Sequence, residues 1–279
     1  TKLRLNKYLI KHLPALSKGR SGKLLKKLGD AYLKALFAEK YYARIIKLRR
    51  EGTLSKKWYL KEESQLYWTA RSYIKRKNIP AGRSTIYKLE RLNAKAKQLP
   101  VLFDTFATRY VLDSEISKAQ FWWNRLLSHF PKHPLAAESA WELAWSYQQQ
   151  KNTRKALEYL KKGLKTRIYS SELKAKLLFW QGKLQQAIGR QDLAEKSFKQ
   201  LILHQPNTYY GMRLISADDI PESILKMHKS RKAKLYKKPN EKLSKKTKEL
   251  LKRTEFLFDI AEPEQALKEL FAGLGHYKD

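Results

Sequence analysis

The sequence predicts an all-α fold, a right-handed superhelix (α-solenoid) of helix-turn-helix repeats. Two observations carry this. Small residues recur about every 37 positions, at Gly82, Ala119, Ala156 and Ala194, and a second small residue stands twelve positions before each, at Ala70, Ala107, Ala144 and Gly182. A bulky apolar residue follows each first-series position by four: Ile86, Trp123, Leu160 and Phe198. Self-similarity at such a period is the mark of stacked repeats, each unable to bury its apolar face alone. The small residues let two antiparallel helices cross closely, and the bulky residue closes the gap. Such an architecture directs the functional reading toward a recognition surface rather than a catalytic pocket.

Taken in order, residues 1–62 read as N-terminal capping helices. Apolar positions fall at helical spacing at Leu3, Leu5, Tyr8, Leu9 and Leu13, and again at Leu24, Leu25, Leu28, Tyr32 and Leu36, with a break at Gly19-Arg20-Ser21-Gly22. Residues 63–228 hold the repeats. Four units begin near positions 63, 100, 137 and 175, and two of them carry a proline at the same offset, Pro131 and Pro206. Residues 229–248 are a basic linker, with lysines and arginines crowded around Pro239-Asn240. Residues 249–279 resume the pattern at Leu250, Leu257, Ala266, Leu270 and Gly273, and the array is expected to continue past Asp279.

Composition narrows the function. The chain has 279 residues, is 42% hydrophobic, and carries 60 Lys+Arg against 26 Asp+Glu, a formal charge of +34. Such a balance predicts an acidic partner: nucleic acid, anionic lipid or a carboxylate-bearing wall polymer. The competing reading is a solvated basic surface with no polyanion ligand. Cysteine is absent, which excludes disulfides, thiol catalysis and cysteine-ligated metals. No apolar run approaches the roughly 20 residues of a membrane span. No cofactor is implied, because no Gly-rich phosphate loop is present. No metal is implied either: of six histidines only His129 and His133 have ligand-like spacing, and Pro131 interrupts the helix between them.

The order of small and large residues resembles the tetratricopeptide repeat, best in the fourth unit with Gly182, Ala194, Phe198 and Pro206. The units exceed the usual length of about 34 by a few residues. After the fourth unit comes Gln205-Pro206-Asn207-Thr208-Tyr209-Tyr210-Gly211. Repeats followed by this Thr208-Tyr209-Tyr210-Gly211 segment resemble the helical superhelical domain of the soluble lytic murein transglycosylases, over roughly residues 100–279. Phe256 to Ile260 and Glu264 to Leu270 are similar to the repeat that follows there. The resemblance implies a periplasmic, bacterial setting and a ring or horseshoe that embraces the glycan strand of peptidoglycan. It also implies a separate lysozyme-like domain carrying the catalytic glutamate. That domain's signature is missing here: Glu63-Ser64 has Lys75 and Asn78 where the family needs glycines, and Glu138-Ser139 is followed by Trp145 in place of an alanine. No catalytic residue is therefore assigned.

In repeats of this kind the first helix of each pair lines the concave face. Projecting that geometry places Tyr67, Arg71 and Lys75 there from the first unit, and Asp104 and Thr108 from the second. Trp141, Trp145, Gln148 and Gln149 follow from the third, and Phe179, Lys183 and Gln186 from the fourth. Trp141 and Trp145, four apart, share one helix face. Flat rings beside amides and cations suit a sugar chain bearing acidic peptides. Equally, these tryptophans can fill the gap between repeats; Trp122 and Trp123 read as core, and Tyr209 and Tyr210 as packing for the next helix. The expected partners are peptidoglycan strands or another anionic polymer, with a protein partner or a further catalytic domain as the alternative. A stand-alone protein-interaction scaffold is the second function class. A nucleic-acid binder acting through residues 229–253 is the third, with no recognised nucleic-acid motif to support it.

Overall fold

The computed structural model describes residues 2–16, 22–216, 220–235, 249, 250, 252 and 253. Fourteen helices are assigned among them and no strand. They are α1 (Lys2–Leu16), α2 (Gly22–Ala38), α3 (Tyr42–Arg50), α4 (Thr53–Lys56), α5 (Glu62–Lys75), α6 (Ile79–Leu92), α7 (Leu99–Leu112), α8 (Ile116–His129), α9 (Leu135–Gln149), α10 (Thr153–Leu164), α11 (Ser171–Ala187), α12 (Gln191–His204), α13 (Tyr209–Ile215) and α14 (Glu222–Leu235). The chain divides into two compact units, Thr1–Asp218 and Asp219–Asp279. Helix α14, the described helix of the second unit, runs through Lys229, where the composition turns basic. Most of the expected linker and the final partial unit lie outside the described residues.

The first unit is a solenoid of antiparallel helix pairs, α5/α6, α7/α8, α9/α10 and α11/α12. The second helix of each pair packs on the first helix of the next, and successive first helices also touch. Expected unit starts at 63, 100 and 137 fall within two residues of α5, α7 and α9; α11 begins four residues before its expected start.

One turn builds every pair. At its centre stands a residue in the left-handed region: Lys77 (φ 62°), Ser114 (60°), Lys151 (58°) and Gly189 (76°). Each turn repeats two backbone bonds. Asn78 N donates to Tyr73 O and Lys77 N to Ile74 O; Glu115, Asn152 and Arg190 donate to Tyr110, Tyr147 and Gln185 in the same way. This is the Schellman arrangement, which satisfies the last carbonyls of one helix and swings the chain into the next. A fifth copy lies upstream, with Lys40 at φ 64° and Tyr41 N donating to Leu36 O. Helices α2 and α3 are thus joined by the same turn as the later pairs, inside the block expected to hold capping helices, though they pack on each other less closely. Its packing positions are occupied by bulky Leu33 and Ile45, both fully buried, in place of small residues. That substitution hides the pair from any search for the small-residue period.

The small residues behave as their spacing requires. Ala70, Ala107 and Ala144, and Ala119, Ala156 and Ala194, are buried, as are Ile86, Trp123, Leu160 and Phe198. A Cβ on Gly182 would lie 2.2 Å from Cε1 of Phe198, and one on Gly82 would meet Ile74 and Phe106 at 3.3 Å. Phe198 is fully buried, so its ring has nowhere to retreat.

Two stability outcomes are expected in urea unfolding. Gly182→Ala costs about 1–3 kcal/mol through overpacking, and Phe198→Leu in the same chain recovers part of that loss. Lys151→Gly, at an exposed left-handed position, adds about 1 kcal/mol by removing the Cβ–carbonyl clash. A stabilised Gly182→Ala chain would contradict the packing account.

Candidate functional site

Contact between successive first helices makes their shared side the inner face of the solenoid. It carries a cluster of three tryptophans. Trp141 and Trp145, one turn apart on α9, stack with centroids 5.6 Å apart and planes at 20°. Trp180 reaches across from α11, its ring edge-on to Trp145 at 5.1 Å and tilted against Trp141 at 6.3 Å. All three are half-buried. The space beneath them, shared with Gln148, Leu160 and Leu184, is about 10 Å³, too small for a ligand. An occupant must therefore lie on the indoles. The Lys176 ammonium sits 4.6 Å from the Trp141 centroid.

Carboxylates also gather on α7 and α9, with Lys176 close to them, against the basic trend of the chain. Burial pushes the Asp104 carboxyl above its usual range and the neighbouring Glu138 charge adds to the rise; the buried Trp123 indole N–H, which makes no close hydrogen bond, pulls it back. Glu142 is raised first by burial, then by Asp104 and Glu138, while Lys176 opposes the shift. Glu138 itself is exposed. Three mutually interacting carboxylates thus stand on α7 and α9.

The other expected positions divide. Tyr67 and Arg71 meet on α5, where Arg71 donates to the Tyr67 hydroxyl at 2.9 Å and lies over Phe37, Tyr67 and Trp68. Lys75, Thr108 and Gln149 are exposed; Gln148, Lys183 and Gln186 are half-buried. Phe179 is a correction: it is only 3% exposed, because Tyr210 of α13 covers it at 5.3 Å. The adjacent Trp180 holds the accessible place. The rule is visible elsewhere: two positions before the small residue, Trp68 meets Phe37 of the preceding pair at 5.4 Å, as Trp180 meets α9. The helical period of a single helix does not show this inter-repeat position, because it exists only where α11 meets α9. Glu63, the catalytic decoy, accepts a hydrogen bond from Asn93 Nδ2 at 2.7 Å.

Thr208-Tyr209-Tyr210-Gly211 is a turn-building segment. Thr208 Oγ1 accepts from Gly211 N at 3.1 Å and donates to Gln205 O at 2.7 Å, capping α13. Tyr209 N donates to Glu172 of α11 at 3.2 Å. A Cβ on Gly211 would fall 2.2 Å from Gln205 O, so the helix can start this close to the turn only with glycine. Tyr210 is packed, whereas Tyr209 is 56% exposed.

A family model described as tetratricopeptide repeat matches residues 138–162 and 176–208. The chain carries tetratricopeptide-type repeats. Those residues are the two pairs, α9/α10 and α11/α12, that hold the tryptophans. Among solved structures, BtubC (BKLC) from P. vanneervenii shares the repeat architecture: 12% identity, TM-score 0.50, covering 87% of this chain and 94% of that one. A thermophilic tetratricopeptide protein of Thermus thermophilus aligns at 16% identity over 75% of this chain and 98% of its own, with a TM-score of 0.35. No curated protein matches. These matches are to the tetratricopeptide repeat itself. Among the described residues no cluster of three or more potential metal ligands occurs, and no helix is long and apolar enough to cross a membrane.

A pH effect follows from the carboxylates. Asp104 and Glu142 hold protons more tightly folded than unfolded, so their contribution to stability is greatest below the unfolded pKa and falls as pH rises through the folded one. Asp104→Asn is accordingly expected to match or exceed the parent stability near pH 7 and to lose that advantage by about pH 4. Urea midpoints at the two pH values measure it.

Proposed function

We propose that this chain is a protein-interaction scaffold whose partner docks on the inner face of α9 and α11. The observation that carries this reading is the cluster Trp141, Trp145 and Trp180, half-exposed on two adjacent repeats with Asp104, Glu138 and Glu142 alongside. Tryptophans of this kind supply most of the energy of many interfaces, since they bury large apolar area at little entropic cost. The carboxylates select the chemistry of the docked segment. It carries an apolar anchor for the indoles and a lysine or arginine for the carboxylates and ring faces. The tetratricopeptide repeats support such a role, because stacked pairs present one continuous face.

A second reading keeps the resemblance in the sequence: the groove holds a peptidoglycan strand, in a periplasmic protein working with a catalytic domain. The stacked pair Trp141–Trp145 favours it, as flat rings pack on pyranoses. Against it, Trp141 spends ring face on Trp145 and on Lys176.

Peptide display against the purified chain separates the two. Selected peptides are expected to share an apolar residue near a basic one, and Trp145→Ala is expected to weaken them by about 2 kcal/mol while the chain stays folded by circular dichroism. Peptides indifferent to both Trp145→Ala and Trp180→Ala would overturn the scaffold reading at this face. Co-sedimentation with insoluble sacculi at moderate salt, lost on Trp145→Ala, would favour the glycan strand.

A further inference from the structure

First helices of successive repeats run the same way, so the turns that precede them lie side by side along one edge of the solenoid. Between the turn before α7 and the turn before α9 lies an open cleft of about 530 Å³. That volume falls in the range of small-molecule sites. Lys95 and Lys97 line it from one turn, and His129, Lys132 and His133 from the other. No carboxylate lines it. Glu90, 4.0 Å from His129 Nδ1, is engaged by Arg125 through two bonds of 3.0 and 2.6 Å. Among the described residues no acidic side chain pairs with Lys95, Lys97 or Lys132, although most other ion pairs of the chain use lysines or arginines close in sequence to their acids.

Both walls are built rather than loose. Asn93 Oδ1 accepts from Lys95 N at 2.9 Å, and Ala96, buried, anchors the first turn. In the second, His133 N donates to Phe130 O at 2.9 Å, and His133 Nδ1 accepts from Leu135 N at 3.2 Å. With Nδ1 accepting, the neutral His133 ring carries its proton on Nε2 and remains a donor. The floor is apolar. Phe130 and Pro131 line it beside Pro100, and Phe130 is fixed edge-on against the core ring Phe103 at 6.0 Å.

Three point charges that lack counter-charges, imidazole donors and an adjoining ring describe a receptor for a polyvalent anion on a flat carrier. We propose that this pocket binds a nucleoside phosphate, its phosphates among Lys95, Lys97 and Lys132 and its base against Phe130 and Pro131. The site is on a different edge of the repeats from the tryptophan groove, and neither depends on the other.

Titration calorimetry of the full chain at about 0.15 M salt, with ATP and with pyrophosphate as separate probes, tests this. Saturable one-to-one binding of ATP is expected, weaker for pyrophosphate. Replacing Lys95, Lys97 and Lys132 together by Ala is expected to lower ATP affinity by about tenfold or more, while the same replacement at the exposed Lys161, Lys165 and Lys199 leaves it unchanged. Phe130→Leu, which keeps the apolar fill, is expected to narrow the gap between ATP and pyrophosphate. Absence of saturable binding would overturn the site. Equal losses in the two triple variants would also overturn it, showing only attraction to a chain of net charge +34. Equal affinities for ATP and pyrophosphate would overturn the nucleoside assignment.

Discussion

Everything in the repeat array depends on two helices being able to cross at the distance of a missing side chain. Gly182 against Phe198 is the extreme case, with no room even for a methyl group. Gly163 of α10 shows the same constraint both within its pair and toward the next: a Cβ there would lie 2.9 Å from that of Ala140 on α9 and 3.3 Å from Leu177 on α11. Once the crossing distance is set, the first helices of neighbouring pairs meet, and an inner face exists. Only then do α9 and α11 come near enough for three indoles to touch. The groove is thus a product of packing at residues that never reach it.

The Schellman turn supplies the second half of the geometry. Five turns share one hydrogen-bond pattern, yet glycine occupies the left-handed position in only one of them. The other four hold Lys40, Lys77, Ser114 and Lys151, each tolerating a conformation that L residues disfavour. The chain accepts this local strain because the second helix must return along the first. Where the αL residue is lysine, the side chain goes to solvent and nothing in the core has to adapt.

The architecture was legible in the sequence because packing at the crossings imposes residue size directly. Gly82, Ala119, Ala156 and Ala194 announce the crossing and leave little else possible. The α2/α3 pair was not legible, since Leu33 and Ile45 fill the equivalent positions and the pair is recognisable only by its turn at Lys40. Site residues fared unevenly for a related reason. Trp141 and Trp145 lie on one helix face, which a helical period reveals. Phe179 and Trp180 are neighbours in sequence, and which of them is open depends on α13 closing over Phe179, a fact of tertiary packing. The carboxylates Asp104, Glu138 and Glu142 form a group only when α7 and α9 are side by side. The Tyr-Tyr-Gly segment was visible as a motif, and its role became clear from the 2.2 Å separation at Gly211.

The stacked indoles also have an optical consequence. Two chromophores 5.6 Å apart and nearly parallel couple their transitions, and a third at 5.1 Å adds a neighbour of different orientation. The pair and its neighbour account for three of the seven tryptophans in the chain. Their coupled ultraviolet signature reports on the groove, and anything that parts or shields these rings changes the colour of the emitted light without a label being attached.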